Sequence, residues 1–172
     1  MRKIYISALL GVGLCISANA QKVVYELNFE NLDIGTEITK GKLKFQGWNK
    51  SVWTVQKDDN NKFGVSTDQK KVFLIKSFDV TPGNRYRWTL ETKVVNNGPA
   101  WKRTHILSVF SGKGEESQQL AKESIAEPKN GTWASSSLDF TVPQNKSEVT
   151  LQLFRFADGA TVSVDNYKLV KL

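Results

Sequence analysis

The chain has 172 residues, with 24 Lys and Arg against 17 Asp and Glu, one His, one Cys and 40% hydrophobic content. That is enough apolar material to bury one core and too little chain for several. A single histidine excludes a zinc site of three imidazoles, and a single cysteine, Cys15, excludes an internal disulfide and a thiolate cluster.

Arg2 and Lys3 make a basic start, Ile4 to Ile16 follows without charge, and Ala18-Asn19-Ala20 places small residues where a signal peptidase reads them. The 13 uncharged residues fall short of the roughly 20 needed to span a bilayer. Leu14 stands where lipoprotein signals carry a small residue before the acylated cysteine, so Cys15 is not read as a lipid anchor. The expectation is a cleavable signal peptide over 1–20 and one exported domain over 21–172, periplasmic, extracellular or attached to the cell surface, without a membrane contact of its own.

Taking away Arg2 and Lys3 leaves 22 basic against 17 acidic residues, a charge of +5. The basic residues are dispersed, as at Lys40, Lys42 and Lys44, which suits solubility and, in an exported chain, argues against nucleic acid.

The mature part opens with Val23, Tyr25, Leu27 and Phe29 alternating against Val24, Glu26, Asn28 and Glu30, the period of a half-buried strand, closed by 31–35. Short β-prone runs follow at 43–45, 52–55, 72–75 and 78–80. Thr81-Pro82-Gly83-Asn84 reads as a type II turn. Beyond it, 85–95 makes a long strand with Tyr86, Trp88, Leu90, Thr92 and Val94 on one face and Arg87, Thr89, Glu91 and Lys93 on the other. A strand over 104–110 succeeds the break at Asn96-Asn97-Gly98-Pro99, and 115–126 has helix-favouring composition without an apolar stripe, which predicts a loop with a helical turn. Alternation at 138–142 and 149–153, and a last strand over 161–169, complete the pattern. Many short strands with turn signals between them predict an all-β fold, a two-sheet antiparallel sandwich.

No Gly-x-Ser-x-Gly elbow is present, and a serine or threonine nucleophile would have to share His105, whose place within a β run reads as a surface or wall residue. The 17 carboxylates leave glycoside hydrolysis open, since their separation is not encoded locally. Five tryptophans suggest stacking against sugar rings, whose axial C–H groups suit an aromatic face while planar polar side chains take the hydroxyls. Trp88 and Trp133 read as packing residues, and Trp48 and Trp53, around a turn, read either way. Trp101, in a polar connection beside Lys102 and Arg103, is the candidate platform.

An ordered set of motifs resembles one family. Asn28-Phe29-Glu30 is followed by Phe78-Asp79-Val80-Thr81-Pro82-Gly83-Asn84-Arg85-Tyr86, by Gly131-Thr132-Trp133 with Leu138-Asp139-Phe140-Thr141-Val142-Pro143, and by Val162-Ser163-Val164-Asp165-Asn166-Tyr167-Lys168-Leu169. In order and spacing these resemble the jelly-roll carbohydrate-binding modules of families 4, 9, 16 and 22, with the galactose-binding-like fold.

The resemblance implies a non-catalytic module that binds a polysaccharide or oligosaccharide, and a structural calcium ion held by Glu30 and Asp165. Ser66 to Lys71 stands where the family has a short turn that supplies carbonyl ligands. It also implies a sugar surface on a sheet face or its rim. Where family members carry an outward aromatic after the Pro-Gly turn, this chain has Arg87, Thr89 and Glu91, so Phe154 is the replacement platform. If the strands are neighbours, Arg87, Glu91, Gln152 and Phe154 form one patch bordered by Trp101 and His105. A small hydrolase or lyase on a similar sandwich, and a structural or adhesion domain without a sugar site, remain the competing readings.

Overall fold

The computed structural model describes residues 21–38, 52–66, 71–96, 104–112, 117–126, 129–156 and 159–172. The expected signal peptide, the β-prone run at 43–45, Trp48 and Trp101 lie outside them. The described residues form ten strands and no helix: β1 (Lys22–Leu27), β2 (Trp53–Asp58), β3 (Asn61–Ser66), β4 (Lys71–Asp79), β5 (Arg85–Val95), β6 (Thr104–Ser111), β7 (Gln118–Ala126), β8 (Trp133–Thr141), β9 (Glu148–Phe156) and β10 (Thr161–Lys171).

They pair antiparallel into two sheets. The first runs β2-β3-β10-β5-β8, with β1 also on β10, and the second runs β4-β9-β6-β7. One edge of β10 lies along β5 for its whole length; the other is shared by β3, at Val162–Val164, and β1, at Tyr167–Lys171. This is the jelly-roll sandwich expected of the sequence.

The inner faces supply one core. Trp88, Leu90, Val94, Val162, Val164 and Leu169 from the first sheet meet Val72, Leu74, Leu107, Val109, Val149, Leu151 and Leu153 from the second. The period-two alternation is what sorts these residues inward, because adjacent side chains on a strand point to opposite faces. Trp53 resolves to the core, fully buried, and its indole N–H crosses to donate to the carbonyl of Phe73 at 3.0 Å. That bond fixes the second sheet against the first.

At the turn before β5, Gly83 takes the left-handed conformation at φ 74°, and the Tyr86 hydroxyl accepts from the Thr81 N–H at 2.8 Å. Pro-Gly chemistry thus starts the long strand as expected.

Two elements differ from the sequence reading. Residues 118–126 form the edge strand β7 rather than a loop with a helical turn, because pairing with β6 from Thr104 to Ser111 outweighs the local helix preference. The strand β3, polar and interrupted by Gly64, is closed on β2 by a tight turn with Asp59 at φ 51°.

Gly64 is required by packing. A Cβ there would lie 3.0 Å from Phe29 Cε1 and 3.1 Å from Ile38 Cδ1, both on buried side chains. Gly64→Ala should therefore destabilise the fold by about 1–3 kcal/mol through overpacking, read as a lower urea midpoint with an unchanged m-value.

Candidate ligand-binding site

The outer face of the second sheet is built by the same alternation that fills the core. With Val149, Leu151 and Leu153 fully buried on the inner side of β9, Thr150, Gln152, Phe154 and Phe156 point outward. Register then aligns their neighbours, since residues directly opposite in an antiparallel pair share a face.

Phe154 stands between Phe73 on β4 and Ile106 on β6. The next row is Ile75, Gln152, Ser108 and Lys122, of which Ile75 and Ser108 are buried, and the one after is Ser77, Thr150 and Phe110. The Phe73 and Phe154 rings lie 4.8 Å apart at 37°, and Phe156, 42% exposed, meets Phe154 edge-on at 5.0 Å. Lys71 Nζ sits 5.8 Å above the Phe156 ring. The Ser77 and Thr150 hydroxyls hydrogen-bond each other at 2.8 Å. The result is an apolar row of two phenylalanines and an isoleucine, bordered by an amide and a line of hydroxyls.

Of the residues expected to bind ligand, Gln152 and Phe154 lie on this face. Arg87 and Glu91 do not, and the single patch expected of the four is not formed. Strands β5 and β9 belong to opposite sheets, so these pairs sit back to back with the core between them.

Their side chains are also engaged in the first sheet. Arg87 grips Asp139 with Nε–Oδ1 at 2.6 Å and the second nitrogen at 2.9 Å, and Arg85 adds a bond to Asp139 Oδ2 at 2.8 Å. These hydrogen bonds hold the Asp139 carboxyl below its ordinary range and raise Arg87. Glu91 accepts from Ser135 Oγ at 3.0 Å and Asn166 Nδ2 at 2.8 Å. Further along that surface, Lys93 binds Asp58 at 2.9 Å and covers the rings of Phe63 and Trp133 at 4.5 and 5.0 Å, which makes Trp133 the packing residue expected.

His105 is not at the border of a surface patch. It points inward from β6, 1% exposed, with Nδ1 3.2 Å from Thr92 Oγ1 across the sandwich. Burial, with the Arg155 guanidinium nearby, lowers its pKa to about 4, so the ring is neutral at pH 7. Trp101 lies outside the described residues.

Phe73, Ile106 and Phe110 were not singled out from the sequence. Their signal was present in runs apolar on both faces, Val72 to Ile75 and Val109-Phe110, where simple alternation would have put polar residues outward.

Glu30 and Asp165 do come near one another: burial first, and then the charges of Glu91 and Glu30, push the Asp165 carboxyl above its ordinary range. Glu30 Oε1 and both Asp165 oxygens, however, already accept from donors of this chain. Glu30 Oε1 accepts from the Lys62 N–H at 2.9 Å, and Asp165 accepts from Asn61 Nδ2 at 3.0 Å and the Asn166 N–H at 2.7 Å. The carbonyl oxygens of Glu30 and Leu32 are held by Lys62 Nζ at 3.0 and 2.8 Å. A calcium ion needs six or more oxygens turned toward it. An ammonium among the carbonyls does not fit that cage, and among the described residues no three acidic, histidine or cysteine side chains gather as a metal set.

Neither a protein-family model nor a curated protein sequence matches the chain. Solved structures do. The CBM22-1 xylan-binding domain of Paenibacillus barcinonensis Xyn10C aligns with a TM-score of 0.57 at 17% identity, over 90% of this chain and 97% of that one. A xylan-binding domain from carbohydrate-binding family 22 aligns with a TM-score of 0.59 at 11% identity, over 89% and 96%. A family 16 carbohydrate-binding module aligns at 0.51 and 14% identity, over 68% and 84%. The chain has the fold of the jelly-roll carbohydrate-binding modules.

The buried histidine gives a pH signature. Its pKa falls from 6.5 unfolded to about 4 folded, so the unfolded chain takes up the proton first as pH falls. His105 therefore removes stability as pH drops from about 6.5 toward 4, on the order of 3 kcal/mol over the window. His105→Gln should flatten the slope of unfolding free energy against pH in that interval, measured by urea titration at several pH values, and leave the slope above pH 7 unchanged.

Proposed function

We propose that the chain is an exported, non-catalytic carbohydrate-binding module that holds a polysaccharide or oligosaccharide across the outer face of β4, β9 and β6. The observation that carries this reading is the row Phe73, Phe154 and Ile106, each only partly buried, beside Gln152, Ser77 and Thr150. Sugar rings have apolar C–H faces and polar rims. A phenylalanine row takes the first by burial and dispersion, and an amide flanked by hydroxyls exchanges hydrogen bonds with the second.

The opposite sheet is less suited to this role. Its outward carboxylates already accept from donors of the same sheet, Asp139 from Arg85 and Arg87 and Glu91 from Ser135 and Asn166, and breaking such pairs to bind a neutral sugar would cost more than it returns. The N-terminal signal features support exposure to external glycans, and the xylan-binding relatives make xylan the first ligand to try.

Affinity electrophoresis through gels containing xylan, other plant and microbial polysaccharides, or none, tests the proposal. Retardation by at least one polysaccharide is expected. Phe154→Ala should weaken it roughly 10- to 100-fold, as for a truncated hot-spot aromatic, while Arg87→Ala should stay within about twofold. Reducing-end release is measured in parallel, because Asp79 and Glu148 stand opposite each other at the end of β4 and β9. Released ends would replace the proposal with a hydrolase, and silence across the panel would leave a structural domain.

A further inference from the structure

The loop after β1 carries a conformational burden. Phe29 is fully buried yet has φ of 62°, a left-handed conformation that bulky side chains rarely adopt. Such a residue persists only where its surroundings over-determine it. The Leu32 N–H donates to the Phe29 carbonyl at 3.0 Å, which closes the turn locally. Besides the burial of the Phe29 ring, a further hold comes from a distant residue, Lys62, on β3.

Lys62 engages this loop three times. Its backbone N–H binds Glu30 Oε1, and its ammonium binds the carbonyls of Glu30 and Leu32. The neighbouring Asn61 ties β3 to Asp165, in the gap along β10 between the stretch paired with β3 and the stretch paired with β1. One short segment, Asn61-Lys62, thus fastens the first strand's exit loop and the last strand together. Carbonyl oxygens converging on a positive charge, with a carboxylate alongside, are the donor set that a hard cation takes.

We infer that the Lys62 ammonium is a tethered internal cation that takes the place of a bound metal ion at the junction of β1, β3 and β10. The chain therefore closes its N-terminal loop without calcium. Lysine suits the place because its ammonium is compact and offers several donors on a flexible stem. Lys62 shares the inward face of β3 with Gly64, which packs against Phe29, so its stem leads toward the loop after β1.

Thermal unfolding of the mature chain tests this. With excess chelator, and again with millimolar calcium, the Tm of the unaltered chain should be the same. Lys62→Met keeps the length of the stem and removes the charge and its donors. It should lower the Tm by about 5 °C in chelator, as expected for losing charge-assisted hydrogen bonds in a domain of this size. Lys57→Met, on the facing strand of the same hairpin, should leave it unchanged.

A fall in the unaltered chain's Tm on chelation, or a Lys62→Met chain as stable as the parent, would overturn the inference. Should Lys62→Met fail to fold, metal analysis of the unaltered chain after gel filtration decides. Calcium near one equivalent overturns the inference, and its absence together with an unchanged Tm supports it.

Discussion

Strand β9 has a hydrogen-bonded neighbour on each edge and the core beneath it, and these three conditions leave it one register. A slip by one residue would turn Leu151 and Leu153 to the outside and drive Gln152 and Phe154 into the core. The energy that holds the register is apolar burial, and the outward face is its by-product. Phe73, Ile106 and Phe154 come into line because Leu74, Leu107 and Leu153 do so on the other side. Binding face and core are two readings of one set of strand pairings.

The two outer faces divide the chemistry. On the first sheet, Arg85 and Arg87 with Asp139, Lys93 with Asp58, and Glu91 with Ser135 and Asn166 satisfy one another across strands. These contacts are partly solvated and add little stability singly, but they leave few unmatched polar groups for a ligand. On the second sheet the half-buried Phe73, Ile106, Phe110 and Phe154 stand beside Gln152, Ser77, Thr150 and the exposed Lys122, a surface that water wets poorly and that a ring with one apolar and one polar side complements. Trp53 couples the division, since its indole binds the backbone of Phe73 from within the core.

Local pattern made much of this legible. Alternation located β5, β9 and β10, the Thr81-Pro82-Gly83-Asn84 turn located the start of β5, and the tyrosine and tryptophan of that strand proved to be core. What failed was whatever depends on partners distant in sequence. Arg87 and Gln152 each lie on the outward side of a good strand, but whether they share a face depends on sheet membership, which is decided by pairing across the whole chain. β7 was missed because an edge strand with one partner tolerates the charged, helix-favouring residues of 118–126. Lys62 gave no signal as a cation site, for its role exists only once β3 is laid beside the loop after β1.

The same distinction governs the functional reading. A fold shared at identities of 11–17% describes the scaffold and leaves the ligand to the residues on its faces. The direct measurement is a backbone amide chemical-shift titration of the mature chain with the glycan that retards it. Shifts concentrated at Phe73, Ile75, Ile106, Gln152 and Phe154 are what the account predicts. Shifts confined to Arg87, Glu91, Ser135 and Asp139 on the other sheet would contradict it.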